Sequence, residues 1–292
     1  MVKFGPAGNS DSFEAQGYKS SLDAPKYLHD MGLDAFEYQC GRGVRISQAS
    51  AAKLGEKARE YGITLSIHAP YFISMSSVEE EKRLGSLRYI LDSAAAAKAM
   101  GAKRVILHTG SCGKISREEA LVLAKDTMKL ALNAMDEGGY SDIHLCPEVM
   151  GKINQLGTLE EVLELCTLDE RLIPCVDFGH LNARTFGGLG GYEDFKAVFD
   201  AMENRLGTER MRNFHSHFSK IEYTPKGGEK KHLTFEDTVF GPDFRPVAQL
   251  LAERKCTATI ICESAGTQAE DAVIMQQDYR RAKEALEQGQ PG

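Results

Sequence analysis

The chain has 292 residues, 42% of them hydrophobic, enough for a sizeable core in a single α/β barrel or in two smaller domains. Lys and Arg number 35 against 42 Asp and Glu, a net charge of -7 with no strongly basic half, so overall charge does not make this a nucleic-acid binder and any such contact needs a local patch. The seven cysteines form no C-x-x-C pair, no stretch approaches the ~18 apolar residues of a membrane span, and the first residues lack a signal peptide's apolar run, which together predict reduced thiols, no membrane and a cytoplasmic location.

Eight short β-type runs follow, each leading into a longer amphipathic segment. In chain order they are VKFGPA from residue 2, AFEYQC from 35, TLSIHA from 64, RVILHT from 104, IHLCPEV from 143, IPCVDF from 173, NFHSHFS from 213 and TIICES from 259. They begin roughly 30 to 45 residues apart, the room a β-α unit takes. Between them lie helix start signals, the capping boxes Ser77-x-x-Glu80, Ser116-x-x-Glu119 and Thr158-x-x-Glu161, and a stop at Gly101 after an alanine run. Such alternation predicts a parallel sheet. Eight units with no leftover block, and no Gly-rich dinucleotide fingerprint after the first, predict one (β/α)8 TIM barrel spanning residues 1–292.

In such barrels the C-terminal strand ends form the active face. Here they end in chemistry: His68 on the third strand, His108 on the fourth, Glu148 on the fifth, Asp177 with His180 on the sixth, His215 and His217 on the seventh, Glu263 on the eighth. His232 follows in the loop after the seventh. Singly, each histidine reads as a hydrogen-bonded core residue and each glutamate as a rim ion pair. Together they converge on one mouth, where burying three carboxylates beside several imidazoles without compensation would cost many kcal/mol, and a metal cluster compensates it. Imidazole and carboxylate donors suit zinc or manganese in an open, catalytic site. His29 and His144 lie away from the mouth and read as structural.

These segments resemble the endonuclease IV type of apurinic/apyrimidinic endonuclease. HAPYFISMSS, LHTGS, PEVMGKINQLGT, VDFGHLNAR, HSHFSK and ESAG stand in that family's order and on its strands, over nearly the whole chain. The resemblance implies a TIM barrel with three zinc ions that hydrolyses the DNA backbone 5′ to abasic sites in base excision repair. It implies His68 and His108 on one zinc, with Glu148 bridging to a second that also takes Asp177, His215 and Glu263, and His180 with His232 on a third. Glu148 and Glu263 then carry the catalytic roles, the bridge and the orientation of the attacking water. His217 could exchange with His215, since both face one side of a strand.

One position departs from the pattern. Lys230 stands where the family has an aspartate two residues before His232, and a protonated lysine cannot bind zinc. Glu229, Glu236 or Asp237 could substitute if the loop is re-routed; otherwise two ions remain. For DNA, the resemblance assigns Tyr71 and Phe72 to a wedge entering the base stack, chemistry suited to exposing an abasic nucleotide. Arg42 and Lys220 are candidate phosphate or gap contacts, and the expected partner is damaged double-stranded DNA bound by a monomer. The alternative is a metal-dependent sugar isomerase or epimerase, for which Glu148, Asp177, His215 and Glu263 alone would hold one ion and move protons between two carboxylates.

Overall fold

The computed structural model describes residues 1–289. The strands are β1 (Lys3–Pro6), β2 (Ala35–Gln39), β3 (Thr64–His68), β4 (Arg104–Leu107), β5 (His144–Pro147), β6 (Cys175–Asp177), β7 (His215–Phe218), β8 (Ile221–Thr224), β9 (Gly228–His232) and β10 (Thr259–Cys262). Two parallel four-stranded sheets, ordered β1-β10-β7-β6 and β2-β3-β4-β5, face each other. Single parallel bridges join them at both seams: Ala7 to Glu37 between β1 and β2, and Glu148 to Cys175 between β5 and β6. The sheet therefore closes into the expected TIM barrel. All eight expected runs supply its strands.

The surrounding helices bury their apolar faces against the outside of the barrel, in one core that runs from Phe4 and Leu28 through Ile67, Val105 and Phe178 to Met275. A separate small cluster of Ile106, Cys146, Ile173 and Cys175, drawn from adjacent strands, fills part of the interior. All seven cysteines are free and buried, as reduced packing residues would be. No helix among the described residues is long and apolar enough to cross a membrane.

Two capping boxes form as expected, at Ser116 with Glu119 and at Thr158 with Glu161. The third does not. The helix Glu80–Met100 takes Glu79 as its cap, and Ser77 Oγ instead accepts the Glu79 N–H at 3.2 Å, outside the first turn. The stretch after β7, expected as a loop, contains an antiparallel hairpin of β8 and β9. Polarity hid it, because KGGEKKH lacks the apolar alternation that marks a half-buried strand.

Glu161 ties the loops of the active face together. Its Oε2 accepts the Gly157 and Thr158 N–H groups at 2.7 and 2.8 Å, while Arg117 donates to both carboxylate oxygens at 2.7 Å. Burial pushes this carboxyl's pKa up, but Arg117 and the two amides outweigh that and hold it below the usual glutamate range. Glu161→Ala should therefore cost about 3 kcal/mol of unfolding free energy at neutral pH, since it strands buried donors and a guanidinium. Because the folded-state pKa is depressed, the contribution is complete above the ordinary glutamate value and fades as pH falls through the folded one. Urea titrations of both proteins across pH should show the gap narrowing only on acidification.

Candidate metal centre

At the C-terminal ends of the strands the predicted residues meet around Glu148, which is 1% exposed. Its Oε2 lies 3.2 Å from His68 Nε2 and 3.1 Å from His108 Nε2; its Oε1 lies 3.1 Å from His217 Nδ1 and 3.2 Å from His180 Nδ1. Four imidazoles thus surround one carboxylate. Burial raises the Glu148 pKa, but the histidines, His217 first, overcome it and hold the group well below the usual range. His68 moves the other way: burial lowers it, while Glu148 pulls it up to about 9.

Asp177 shows where such an ion fits. As the last residue of β6 it also caps the short helix Phe178–Arg184, and its Oδ1 accepts the His180 N–H at 2.7 Å. Its Oδ2 is fully buried and makes no aligned hydrogen bond, although His180 Nδ1 lies 3.1 Å away. A buried, unpartnered carboxylate oxygen is costly unless a cation completes it. Glu148, Asp177, His217 and Glu263 each place a donor atom within 4.8 Å of the others, as do His68, Glu148 and His217, and His180, His232 and Glu263. This donor set suits divalent metal.

The geometry revises one expected ligand. His215 does not join Glu148, Asp177 and Glu263: its Nε2 lies 2.9 Å from Glu37 Oε2, deeper in the barrel. Burial lowers the His215 pKa, despite Glu37, to about 4, so the ring is neutral. His217, two residues closer to the mouth, takes its place. Both face inward, as the strand's alternation requires, and depth along β7 separates their roles. Glu37 itself went unnoticed in the sequence, although a carboxylate between Phe36 and Tyr38 in a buried strand is anomalous enough to mark it.

The hairpin resolves the Lys230 departure. Tyr223 pairs with Glu229 and Glu222 with Lys231, so Lys230 is the extra residue of a β-bulge. The bulge turns Lys230 outward, where its Nζ reaches Glu222 at 2.5 Å, and turns Glu229 inward, 3.5 Å from His180 Nε2 and 4.0 Å from His232 Nε2. Of the three acidic residues expected to substitute, Glu229 is the one that reaches these histidines, while Asp237 caps the backbone of Val239 and Phe240. Two glycines allow the approach. A Cβ on Gly151 would meet Glu229 Cβ at 2.7 Å, and one on Gly228, where φ is +73°, would strike the Gly151 carbonyl oxygen at 2.3 Å.

Histidine orientation is also provided for. His68 Nδ1 lies 2.8 Å from the Ala69 carbonyl and His180 Nδ1 3.0 Å from that of Val149, while His232 Nδ1 meets Ser219 Oγ at 2.8 Å. With the Nδ1–H donated there, the Nε2 of His68 and of His232 is left as an acceptor facing the cluster, whereas His180 Nδ1 is shared with Glu148 and Asp177 at 3.2 and 3.1 Å. A cavity of about 250 Å³ opens above, lined by Gln39, Tyr71, His108, Lys152, Glu229 and Glu263 among others.

On the rim, Tyr71 and Phe72 are 48% and 45% exposed, their ring centroids 4.7 Å apart. Arg42 Nε donates to Tyr71 Oη at 3.0 Å, joining the β2 and β3 loops. Phe72 also leans on Tyr89 with 5.9 Å between centroids, so the pair is half packed and half presented. Lys220 differs from expectation: its Nζ donates to the Phe235 and Asp237 carbonyls at 2.9 and 2.5 Å, bracing the loop after the hairpin instead of facing outward to a phosphate. His29 and His144 bind the Tyr61 and Arg171 carbonyls away from the cluster, in the structural roles expected.

Comparison with known proteins agrees with this architecture. The family model of the xylose isomerase-like TIM barrel matches residues 25–287. An uncharacterised protein of Methanocaldococcus jannaschii is 34% identical over 96% of this chain and 97% of its own. A probable endonuclease 4 of Shouchella clausii is 28% identical over 60% of this chain and 59% of its own. Among solved structures, endonuclease IV of Thermus thermophilus superposes with a TM-score of 0.68 at 20% identity over 97% of this chain and 98% of its own, and an L-ribulose 3-epimerase with 0.72 at 13% over 100% and 99%. A barrel closed at both seams, a polar cluster at the strand ends and a family match over most of the length lead to one statement: the chain belongs to the xylose isomerase-like TIM barrel family, and within it resembles endonuclease IV.

Proposed function

We propose that the protein is a metal-dependent phosphodiesterase that incises DNA 5′ to abasic sites. The observation that carries this reading is the third group at the mouth, His180 and His232 clustered with Glu263 and approached by Glu229 at 3.5 and 4.0 Å, beside the two around Glu148. A single-ion isomerase needs none of the three. His68, His108 and Glu148 would hold one ion; Glu148, Asp177, His217 and Glu263 a second; His180, His232 and Glu229 a third. Bound there, divalent zinc or manganese would lower the pKa of water and neutralise charge that develops on a phosphodiester.

The chain's own residues do the rest. Glu148, central and buried, links two donor groups and fixes their spacing. Glu263, the more open carboxylate at 16% side-chain exposure, stands 3.5 Å from His217 and 4.0 Å from His232, so it can accept the proton of an attacking water while remaining in contact with both groups. Glu229 on the hairpin, 3.5 Å from His180 and 4.0 Å from His232, adds a carboxylate to the outer group. Tyr71 and Phe72, braced by Arg42, offer the apolar edge that fills a gap in a base stack. Together with Lys152 in the cavity lining, Arg42 gives local positive charge in an acidic chain.

A second reading is favoured by one observation. Glu148, Asp177, His217 and Glu263 form a complete group on their own, as a sugar epimerase using two carboxylates for proton transfer would require. The two readings separate at the flanking groups.

A duplex carrying one tetrahydrofuran abasic mimic, incubated with Zn2+- or Mn2+-loaded protein, should be cut 5′ to the lesion, and Glu263→Gln should lower the rate at least about 100-fold. Uncut DNA, with turnover of a ketohexose by the same preparation, would replace the nuclease by the epimerase. Tyr71→Ala with Phe72→Ala should weaken binding to abasic duplex by about 10-fold or more while leaving metal content unchanged. Gly151→Ala, which pushes Glu229 off His180, should lower the bound metal by one equivalent and slow incision.

A further inference from the structure

Glu37 is fully buried inside the barrel, below the cluster and outside every expected site. Its Oε2 accepts from Ser66 Oγ at 2.9 Å and lies 2.9 Å from His215 Nε2; its Oε1 lies 2.9 Å from His217 Nε2. The other imidazoles at the mouth whose second nitrogen has a partner lean on a backbone carbonyl or a hydroxyl, as His68, His180 and His232 do. His217 Nε2 instead faces a carboxylate at 2.9 Å, close enough for charge attraction but without an aligned hydrogen bond. Its opposite nitrogen, Nδ1, lies 3.1 Å from Glu148 Oε1 and 3.5 Å from Glu263 Oε1. The imidazole thus spans the barrel interior between one carboxylate below and two above.

That arrangement has one economical use. A histidine that donates its remote N–H to a carboxylate is fixed in ring orientation and tautomer and is a better donor at its other nitrogen. Glu37 does this for His215, whose Nδ1 is left buried without a partner, and faces His217 Nε2 at 2.9 Å as a charge contact without an aligned hydrogen bond. Anchored so, His215 stays in the layer beneath while His217 reaches the mouth. Ser66, one strand over on β3, fixes the carboxylate in turn.

We propose that Glu37 is a positioning residue of the metal centre: it directs His217 Nδ1 at the cluster and holds His215 out of it. The proposal rests on the reading that the cluster binds divalent metal, and it holds for either substrate. It applies to a residue that touches neither metal nor substrate, so the test reads metal binding itself.

The test titrates metal-free wild type, Glu37→Gln, His215→Phe and His217→Ala with Co2+, following the visible ligand-field absorption, and repeats the titration with Zn2+ against a chelator. Glu37→Gln, nearly isosteric, should weaken one of the bound ions 10- to 100-fold and shift its absorption band. His217→Ala should lose that ion, and His215→Phe should keep the wild-type stoichiometry. Wild-type affinity and spectrum in Glu37→Gln, or loss of an ion in His215→Phe, would overturn the proposal. If Glu37→Gln does not give a native circular dichroism spectrum, Ser66→Ala takes its place, with a smaller weakening of the same ion expected and unchanged binding counting against the proposal. Failure of the wild type to bind Co2+ or Zn2+ would instead sink the metal reading beneath it.

Discussion

Glu148 is 1% exposed, touches four imidazoles, and sits where β5 meets β6 at a seam of the barrel. Negative charge in that position must be balanced within a few ångströms, because an unpaired buried carboxylate costs several kcal/mol. The surrounding histidines supply that balance, holding the Glu148 pKa well below the usual range against burial, while Glu148 in turn pulls the His68 pKa up to about 9. Divalent ions can supply the same balance without changing a side chain. The remaining features of the mouth follow from this one balance. Asp177 keeps a buried oxygen without a hydrogen bond facing in, His68 and His232 have their outer nitrogens held, and Glu263 stays open enough to meet a water.

The barrel places these groups in layers along its axis. Glu37, Ser66 and His215 lie beneath, Glu148, Asp177 and His217 above them, and Glu229, His232 and Glu263 towards the opening. The lower layer is rigid parallel sheet. The upper one depends on a hairpin that approaches only because Gly151 and Gly228 leave room for it. A site divided this way keeps its central carboxylate on strands and places the group that distinguishes it from a single-ion enzyme on a loop, where changes of length and register cost least.

How much of this was legible in sequence depended on the kind of signal. The fold was, because eight apolar runs with even spacing and capped helices leave few alternatives, and so was the gathering of Glu148 with His68, His108, His180 and His217 at one mouth, because each ends or follows such a run. His215 and His217 were not separable: period-two alternation says which side of a strand a residue faces but nothing of depth. Lys230 looked like a lost ligand because position counting assumes a regular strand, and a single inserted residue between Glu229 and Lys231 reverses which side chain faces inward. Glu37 lies in mid-strand, away from the strand ends where the active face was sought, and only its charge between Phe36 and Tyr38 marked it. Lys220 looked available on charge alone, while its hydrogen bonds to Phe235 and Asp237 are set by a loop that sequence does not shape.

The central claim is that this mouth holds a metal cluster in which Glu229 replaces the missing aspartate and His217 replaces His215. Crystals of the protein grown with Zn2+, with anomalous diffraction recorded on both sides of the zinc absorption edge, test it most directly. Three anomalous peaks are predicted: beside His68, His108 and Glu148; among Glu148, Asp177, His217 and Glu263; and beside Glu229, His180 and His232. An empty mouth, or a peak coordinated by His215 with His217 turned away, would contradict it.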